Sequence, residues 1–199
     1  MEIKPLNRAD YNKIISFMIK GMNLESLGNS PSSLRYFSRY YLYYELNRAT
    51  DIICAYEGDE ILGILIGKIK DKPKIHSSFR EKFYVHFTDF VDRIFSPLGD
   101  PVEKAMMKLC KEYEETYDGE ITFLTKDPDC DTKGIGTFLL NEFESRCKGK
   151  TIFLFTDDGC TYQFYEHRGF ERVFIKNIVM KNGKKDIPVE CYIYKKHII

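Results

Sequence analysis

The sequence has no tryptophan, no excess of either charge and no long hydrophobic run. Its 199 residues contain 30 Lys and Arg against 30 Asp and Glu, so the formal net charge is zero. Proteins that bind nucleic acids usually carry a net basic surface, and we therefore expect no nucleic-acid partner. No stretch approaches the roughly 20 apolar residues of a membrane-spanning helix, so we expect no membrane partner either.

The chain also lacks closely spaced cysteines and an apolar stretch among its first residues. Its six cysteines lie at least 13 positions apart, and no Cys-x-x-Cys pair is present. This spacing argues against zinc-site and thioredoxin motifs, so we expect no bound metal and free thiols in a reducing compartment. The first residues lack the apolar core of a signal peptide, which favours a cytoplasmic location.

The composition is that of an ordinary globular protein. Hydrophobic residues make up 43% and charged residues 30% of the chain. Apolar periodicity predicts a strand, two helices, a strand hairpin, then strand, helix, strand, helix and two final strands. Such alternation is typical of a mixed α/β sheet with helices on both faces. We expect one domain over residues 1–199, with a mainly helical insertion at about 74–118.

The most informative segment joins a predicted strand, residues 120–125, to a predicted helix, residues 134–147. Gly134 and Gly136 at the helix start let the backbone turn sharply and let a ligand approach the main chain. The free N–H groups and the dipole of a helix start attract anions. The Walker pattern is absent, and Leu139 replaces the third glycine of a Rossmann fingerprint. These residues alone leave phosphate binding and a simple tight turn both open.

Two motifs together resemble those of the GNAT-type N-acetyltransferase superfamily. The loop with Pro128, Gly134 and Gly136 is similar to motif A of that family, in which Arg/Gln-x-x-Gly-x-Gly/Ala follows a strand. Residues 164–170, Phe-Tyr-Glu-His-Arg-Gly-Phe, look like the family's Tyr-Glu-x-x-Gly-Phe. The resemblance covers the chain apart from residues 74–118. It implies a mixed, mostly antiparallel sheet with helices on both faces and a helical insertion between strands 3 and 4.

The resemblance implies an enzyme that transfers an acyl group, usually acetyl from acetyl-CoA, directly to a primary amine of a small molecule or peptide. Backbone donors of residues 131–137 would hold the pyrophosphate, and residues 124–126 would pair with pantetheine and polarise the thioester carbonyl. The coenzyme-binding residues implied in this way are Leu124, Thr125, Lys126, Asp131, Thr132, Lys133, Gly134, Ile135, Gly136, Thr137 and Asp158.

Two side chains match catalytic positions of that family. Tyr165 matches the tyrosine whose hydroxyl protonates the leaving thiolate, and a plain core tyrosine is the alternative. Glu120 matches a position where several family members carry a catalytic glutamate, and a solvated charge at a strand end is the alternative. His76 and His86 in the insertion are weaker candidates for the base.

The loop departs from the family pattern at Asp131, where Arg or Gln is usual, and Asp158 stands where Asn is frequent. With Asp127 and Asp129, three carboxylates lie beside the expected pyrophosphate. At an effective dielectric constant of about 20, a carboxylate about 4 Å from a phosphate charge costs about 4 kcal/mol. The departure leaves a second function open, namely a catalytically degenerate protein of this fold that binds CoA or an amine as a sensor.

The second predicted helix carries an aromatic face that the resemblance places near the acyl acceptor. Tyr36 and Tyr40 are the candidate acceptor-binding residues, and the face consists of Tyr36, Phe37, Tyr40, Tyr41 and Tyr44. Such a face serves either as a wall for a cationic amine or as core packing with hydroxyls at its rim. The aromatic insertion likewise either covers the acceptor cleft or makes a contact between two copies in a homodimer.

Overall fold

In the computed structural model the chain folds around one seven-stranded sheet. The structure describes residues 1–22, 24–27, 30–75, 78–95, 109, 111–182 and 185–199. The strands of this described part are β1 (Glu2–Lys4), β2 (Asp51–Glu57), β3 (Glu60–Ile69), β4 (Gly119–Lys126), β5 (Thr151–Asp157), β6 (Glu171–Asn182) and β7 (Lys185–His197). Their spatial order is β1-β2-β3-β4-β5-β7-β6. Neighbours are antiparallel except β4 and β5, which confirms the predicted mixed, mostly antiparallel sheet.

The helices begin where local capping residues stand. They are α1 (Tyr11–Gly21), α2 (Pro31–Arg48), α3 (Phe79–Phe95), α4 (residues 111–116), α5 (Ile135–Ser145) and α6 (Gln163–Glu166). The Ser30 hydroxyl accepts the N–H of Ser33 at 3.2 Å, and Pro31 follows at the first helical position. Proline there loses no hydrogen bond, because the first N–H groups of a helix have no internal partner. The predicted start of α2 is therefore confirmed.

Two apolar clusters cover the two faces of the sheet. On one face α1 and α2 pack on β3 through residues that include Ile14, Met18, Leu42, Leu46, Ile64 and Ile66. On the other face α5 packs through residues that include Leu65, Leu139, Leu140, Phe143 and Tyr194. Each such buried side chain stabilises the fold by about 1.5–3 kcal/mol. Because β3 is covered on both faces, its sequence is a nearly continuous apolar run.

The predicted helical insertion lies between β3 and β4, where α3 and α4 are found. α3 packs against α2 and presents its other face outward. The predicted breaks at Ser96–Pro97 and Asp100–Pro101 lie outside the described residues, as does Gly183 of the predicted β6–β7 turn. No helix in the described ranges has the length and apolar character needed to cross a membrane.

We predict that Gly67→Ala destabilises the fold by about 1–3 kcal/mol, because β3 passes closely under α5 at this residue. A Cβ atom on Gly67 would lie 2.2 Å from the Phe143 ring. Chemical denaturation of the wild type and the variant measures the difference. The double variant Gly67→Ala/Phe143→Leu should regain part of the loss, since the smaller side chain leaves room for the methyl group. An unchanged denaturation midpoint in Gly67→Ala contradicts this packing.

Candidate active site

β4 and β5 are paired over a short stretch and then separate. Pairing joins Gly119–Ile121 to Ile152–Leu154. Beyond it, β4 runs to Lys126 and β5 to Asp157 with no further pairing between them in the described chain. The edge of β4 from Thr122 onward therefore faces a gap. The gap lies at the carboxyl ends of the two parallel strands, which is where ligands bind in α/β sheets.

A β-bulge lies where the two strands part. Ile66 pairs with Phe123 and Gly67 pairs with Ile121, so Thr122 is an extra residue on β4. A bulge twists its strand and changes the direction of its backbone groups. The open edge of β4 therefore begins two residues before the segment predicted to contact pantetheine.

The loop after β4 ends in an uncapped helix start. Gly134 has a φ of 82° and precedes α5 without any side-chain cap. The N–H groups of Ile135, Gly136 and Thr137 meet no acceptor within the described residues, as expected for the first turn of a helix. Gly134 is exposed, so these donors are available to an anion.

Two of the three loop carboxylates are held by cations of α1. The Lys13 ammonium lies 3.5 Å from Asp127, and the Lys20 ammonium donates to Asp129. This hydrogen bond raises the pKa of Lys20. The repulsion expected between the loop carboxylates and a pyrophosphate therefore comes mainly from Asp131, which is exposed to solvent.

Arg168 supplies a cation beside the start of α5 that sequence reasoning missed. Its guanidinium donates to the Thr137 hydroxyl and lies 5.2 Å above the Phe164 ring. Its Nε is buried and has no partner in the structure as described. The residue occupies a variable position of the second motif, so only the fold brings it to the helix start. The loop therefore has an arginine close by, although position 131 is an aspartate.

Tyr165 lies in an aromatic cluster at α6. Its ring packs against Phe164, Phe170 and Tyr194 at centroid distances of 5.3, 5.7 and 6.4 Å. Its hydroxyl has no hydrogen-bond partner among the described residues. Burial raises the pKa of Tyr165 well above its usual value, with a smaller effect from Cys160. The hydroxyl therefore keeps its proton and can act only as a donor of it at neutral pH.

Glu120 is buried rather than solvated, so the alternative of an exposed strand-end charge is wrong. Its side chain is paired with Arg48, which also donates to Glu114 at 3.1 Å. Burial raises the pKa of Glu120, and Arg48 opposes that rise. The sequence could not show this pairing, because the partner lies on α2, far away along the chain.

Glu45 is a second buried carboxylate close to the bulge, and sequence reasoning missed it. It is 4% exposed, and its Oε2 lies 3.5 Å from the Nε of Arg48. Neither of these two atoms has a hydrogen-bond partner in the described part of the chain. Burial raises the pKa of Glu45 to about 7, although Arg48 and then the Thr122 hydroxyl lower it. The only sign of Glu45 in the sequence was a glutamate among the apolar residues of the second predicted helix.

Cys160 lies near both Tyr41 on α2 and Tyr165 on α6. The pKa of Tyr41 on α2 and that of Tyr165 on α6 are both raised mainly by burial, and Cys160 adds to each rise. The Tyr41 hydroxyl also donates to the Thr122 carbonyl oxygen at 3.1 Å. Burial raises the pKa of Cys160 itself to about 11, so this thiol is protonated at neutral pH and is no nucleophile.

The aromatic face of α2 contacts α3. The hydroxyl of Tyr36 donates to Thr88 at 3.1 Å, and that of Tyr40 donates to Asp89 at 2.7 Å. Phe37 is 51% exposed. Tyr36, Phe37 and Tyr40 therefore lie on the outer side of α2, whereas Tyr41 of the same face packs against the core. The alternative of core packing is wrong for the first three residues and right for Tyr41. The assignment of Tyr36 and Tyr40 to acceptor binding stays a prediction.

The other predicted site residues take various positions. Asp158 bonds to β7, where its Oδ1 accepts the N–H of Glu190 at 3.1 Å. Lys126 is exposed and donates to the Asp127 carbonyl at 3.1 Å. His86 is exposed on α3, and His76 lies outside the described residues. Across the described segments no three His, Cys, Asp or Glu side chains form a group suited to a metal ion.

Comparison with known proteins identifies relatives of this sequence and fold. The family model described as "Acetyltransferase (GNAT) family" matches residues 22–170. No curated protein matches the sequence. Among solved structures, smu.2055 from Streptococcus mutans UA159 is 16% identical with a TM-score of 0.57, and 100% of each chain is covered. PH1933 from Pyrococcus horikoshii OT3 is 21% identical with a TM-score of 0.56, covering 99% of this chain and 97% of that one.

A third solved structure has the same fold. It is described as "histone acetyltransferase HPA2 and related acetyltransferase" from Corynebacterium glutamicum ATCC 13032. It is 15% identical with a TM-score of 0.56, covering 99% of this chain and 96% of that chain. At such identities the likeness establishes the fold of the chain and leaves its substrate open.

We predict that Gly134→Ala destabilises the protein by about 1–2 kcal/mol, because any side chain is strained at a φ of 82°. Gly136→Ala is the matched control. Its methyl group would meet the Phe164 ring at an ordinary 3.4 Å, so we expect no loss of stability there. Urea denaturation of both variants measures the difference. Equal stability of the two variants contradicts the left-handed conformation at Gly134.

Proposed function

Because the chain belongs to the acetyltransferase (GNAT) family, we propose that it transfers acetyl from acetyl-CoA to a primary amine of a small molecule or peptide. The observation that carries this proposal is the open edge of β4, next to the uncapped start of α5. An extended thioester arm needs strand-edge hydrogen bonds, and its pyrophosphate needs clustered donors. Both requirements fit residues of this chain.

The coenzyme site that we propose consists of backbone donors and two cations. The N–H groups of Ile135, Gly136 and Thr137 would bind pyrophosphate oxygens, because nothing in the described chain accepts from them. Gly136 allows close approach, and Arg168 would contribute its guanidinium from beside Thr137. Lys133 is exposed next to these donors. The pantetheine arm would pair with the β4 edge from the bulge to Lys126.

The chemistry that we propose is direct transfer between two bound substrates. A backbone N–H of the bulge would polarise the thioester carbonyl. One carboxylate of the acidic group around Arg48, to which Glu120 belongs, would take a proton from the substrate ammonium. The neutral amine then attacks the carbonyl carbon, the C–S bond breaks, and the Tyr165 hydroxyl gives its proton to the sulfur. The amide nitrogen loses its extra proton, which returns to Tyr165.

A catalytically inactive protein that senses CoA or an amine is the second candidate function. Asp131 favours it, because an exposed carboxylate beside the helix start disfavours pyrophosphate. The pairing of Asp127 and Asp129 with α1, together with Arg168 beside α5, weakens this objection. We therefore favour the enzyme.

Two measurements test the proposal. Calorimetry should detect acetyl-CoA binding, and free thiol should appear when acetyl-CoA is supplied with members of a panel of primary amines, amino acids and peptides. Binding without thiol release from any member supports the sensor instead. Absence of binding at near-millimolar acetyl-CoA overturns both the enzyme and the CoA sensor.

We predict that Tyr165→Phe lowers the turnover number about 100-fold or more, because the leaving thiolate loses its proton donor. Its acetyl-CoA dissociation constant and melting temperature should hardly change, since the ring contacts remain. Tyr162→Phe is the matched control, because Tyr162 packs on Tyr192 with a centroid distance of 4.8 Å and lacks that role. Equal rates in both variants would exclude Tyr165 as the acid.

We predict that Arg168→Ala weakens acetyl-CoA binding about tenfold, which corresponds to loss of one charged hydrogen bond of about 1.4 kcal/mol. The salt dependence of binding should also decrease, because one cation no longer contacts phosphate. Arg146→Ala serves as the control, since Arg146 pairs with Glu142 at the other end of α5. Unchanged affinity in Arg168→Ala means that the guanidinium only supports Thr137.

A further inference from the structure

The inner side of α2 carries a polar stripe within an otherwise apolar surface. Ser38, Tyr41, Glu45 and Arg48 follow one another at intervals of three or four residues, which places them on one side of the helix. Leucines of the same helix fill the core beside them. Buried polar atoms nearly always have partners, yet Ser38 Oγ and Glu45 Oε2 have none within the described ranges. Unsatisfied groups of this kind indicate a place for a substrate or for water.

The charges around Glu45 do not balance. Among the residues that the structure describes, three carboxylates (Glu45, Glu114 and Glu120) share two cations, Arg48 from α2 and Lys68 from β3. Glu114 comes from α4 and Glu120 from β4. One negative charge is therefore left over in a mostly buried cluster, and such a cluster favours uptake of a proton.

Glu45 is the member of the cluster best suited to take that proton. Glu120 and Glu114 each accept a hydrogen bond from Arg48, and Glu114 also accepts from Lys68 at 2.5 Å. The Oε2 of Glu45 approaches Arg48 Nε at 3.5 Å without a hydrogen bond, and the Thr122 hydroxyl is the other polar group beside this carboxylate in the described chain. Because Glu45 is the least well paired of the three with a cation, protonating it breaks no hydrogen bond to Arg48 or Lys68.

Glu45 also stands beside the point where β4 leaves β5. Burial raises the pKa of Glu45 most, Arg48 lowers it, and the Thr122 hydroxyl at the bulge lies close enough to lower it further. Tyr41, one turn earlier on α2, donates to the carbonyl of the same Thr122. The carboxylate is therefore next to the backbone that would hold the thioester carbonyl, on the side of the sheet that α2 covers.

We propose that Glu45 is the residue that accepts the proton of the substrate ammonium group, while Glu120 and Glu114 position Arg48; this inference rests on the proposed acyl transfer. The ammonium N–H bond breaks and an O–H bond forms at Glu45, directly or through one water. The freed electron pair of the nitrogen attacks the thioester carbon, and Glu45 later releases its proton to solvent. One proton per turnover leaves the protein, as the overall reaction requires.

The test compares Glu45→Gln with Glu120→Gln across the pH range, using the best amine of the thiol-release panel. In the wild type, kcat/KM should rise with pH through about 7, as Glu45 loses its proton. Glu45→Gln should lower kcat about 100-fold or more and abolish this rise, with acetyl-CoA affinity unchanged. Glu45→Asp should recover part of the rate. Glu120→Gln should keep the rise and lose less than tenfold in kcat.

Several results would overturn the assignment. One is a wild-type rate and pH profile in Glu45→Gln, and another is loss of the rise near pH 7 in Glu120→Gln alone. A wild type that releases no thiol with any amine overturns the proposed function, and the inference with it. A wild type that is active while Glu45→Gln matches it overturns the inference alone.

Thermal unfolding as a function of pH gives a readout that needs no substrate. The pKa of Glu45 is raised from 4.5 to about 7 in the folded protein, so the folded state binds its proton more tightly than the unfolded chain. The stabilisation from that proton is complete below pH 4.5 and is lost as the pH rises through 7. The melting temperature of the wild type should therefore fall more steeply between pH 5 and 8 than that of Glu45→Gln. Parallel curves would show that Glu45 is not the group that titrates.

Discussion

The short parallel pairing between β4 and β5 is the constraint on which the rest of the site depends. Three residue pairs join the strands, and the bulge at Thr122 then turns β4 away. Strand backbone without a partner costs free energy unless something else satisfies it. An extended ligand between the strands meets that need, and the loop and helix that follow β4 place anion donors at the end of the same gap. The geometry of this strand pair thus sets where the gap and the anion donors at its end lie.

The two ends of the gap differ in charge, although the chain as a whole is neutral. Helix N–H groups and Arg168 lie at the start of α5. Three carboxylates surround Arg48 near the bulge. An anionic ligand and a cationic ligand would each be attracted to a different end, without any net charge on the protein. Local arrangement therefore matters here far more than the total of 30 charges of each sign.

Residues whose roles are local could be predicted, and residues with distant partners could not. Ser30 before Pro31 and Gly134 before α5 act on their own backbone, so the pattern alone was sufficient. A solvated charge stayed an open alternative for Glu120, because its partner Arg48 is far away in the chain. The helical spacing of α2 did not show which side turns inward, since both sides carry apolar residues. In the structure the leucine side, together with Tyr41, faces the core, and Tyr36 and Tyr40 contact α3.

The sequence by itself determined the order of the elements, the glycine turn at the helix start and the two motifs of the acetyltransferase (GNAT) family. These depend on neighbours a few residues apart, where spacing and backbone preference suffice. Only the tertiary structure decided that lysines of α1 pair with Asp127 and Asp129 and that Arg168 reaches α5. It also decided that Glu45 is buried and has a pKa of about 7. Each of these depends on burial and on charges brought together by distant segments, because desolvation and Coulomb energy act through space and not along the chain.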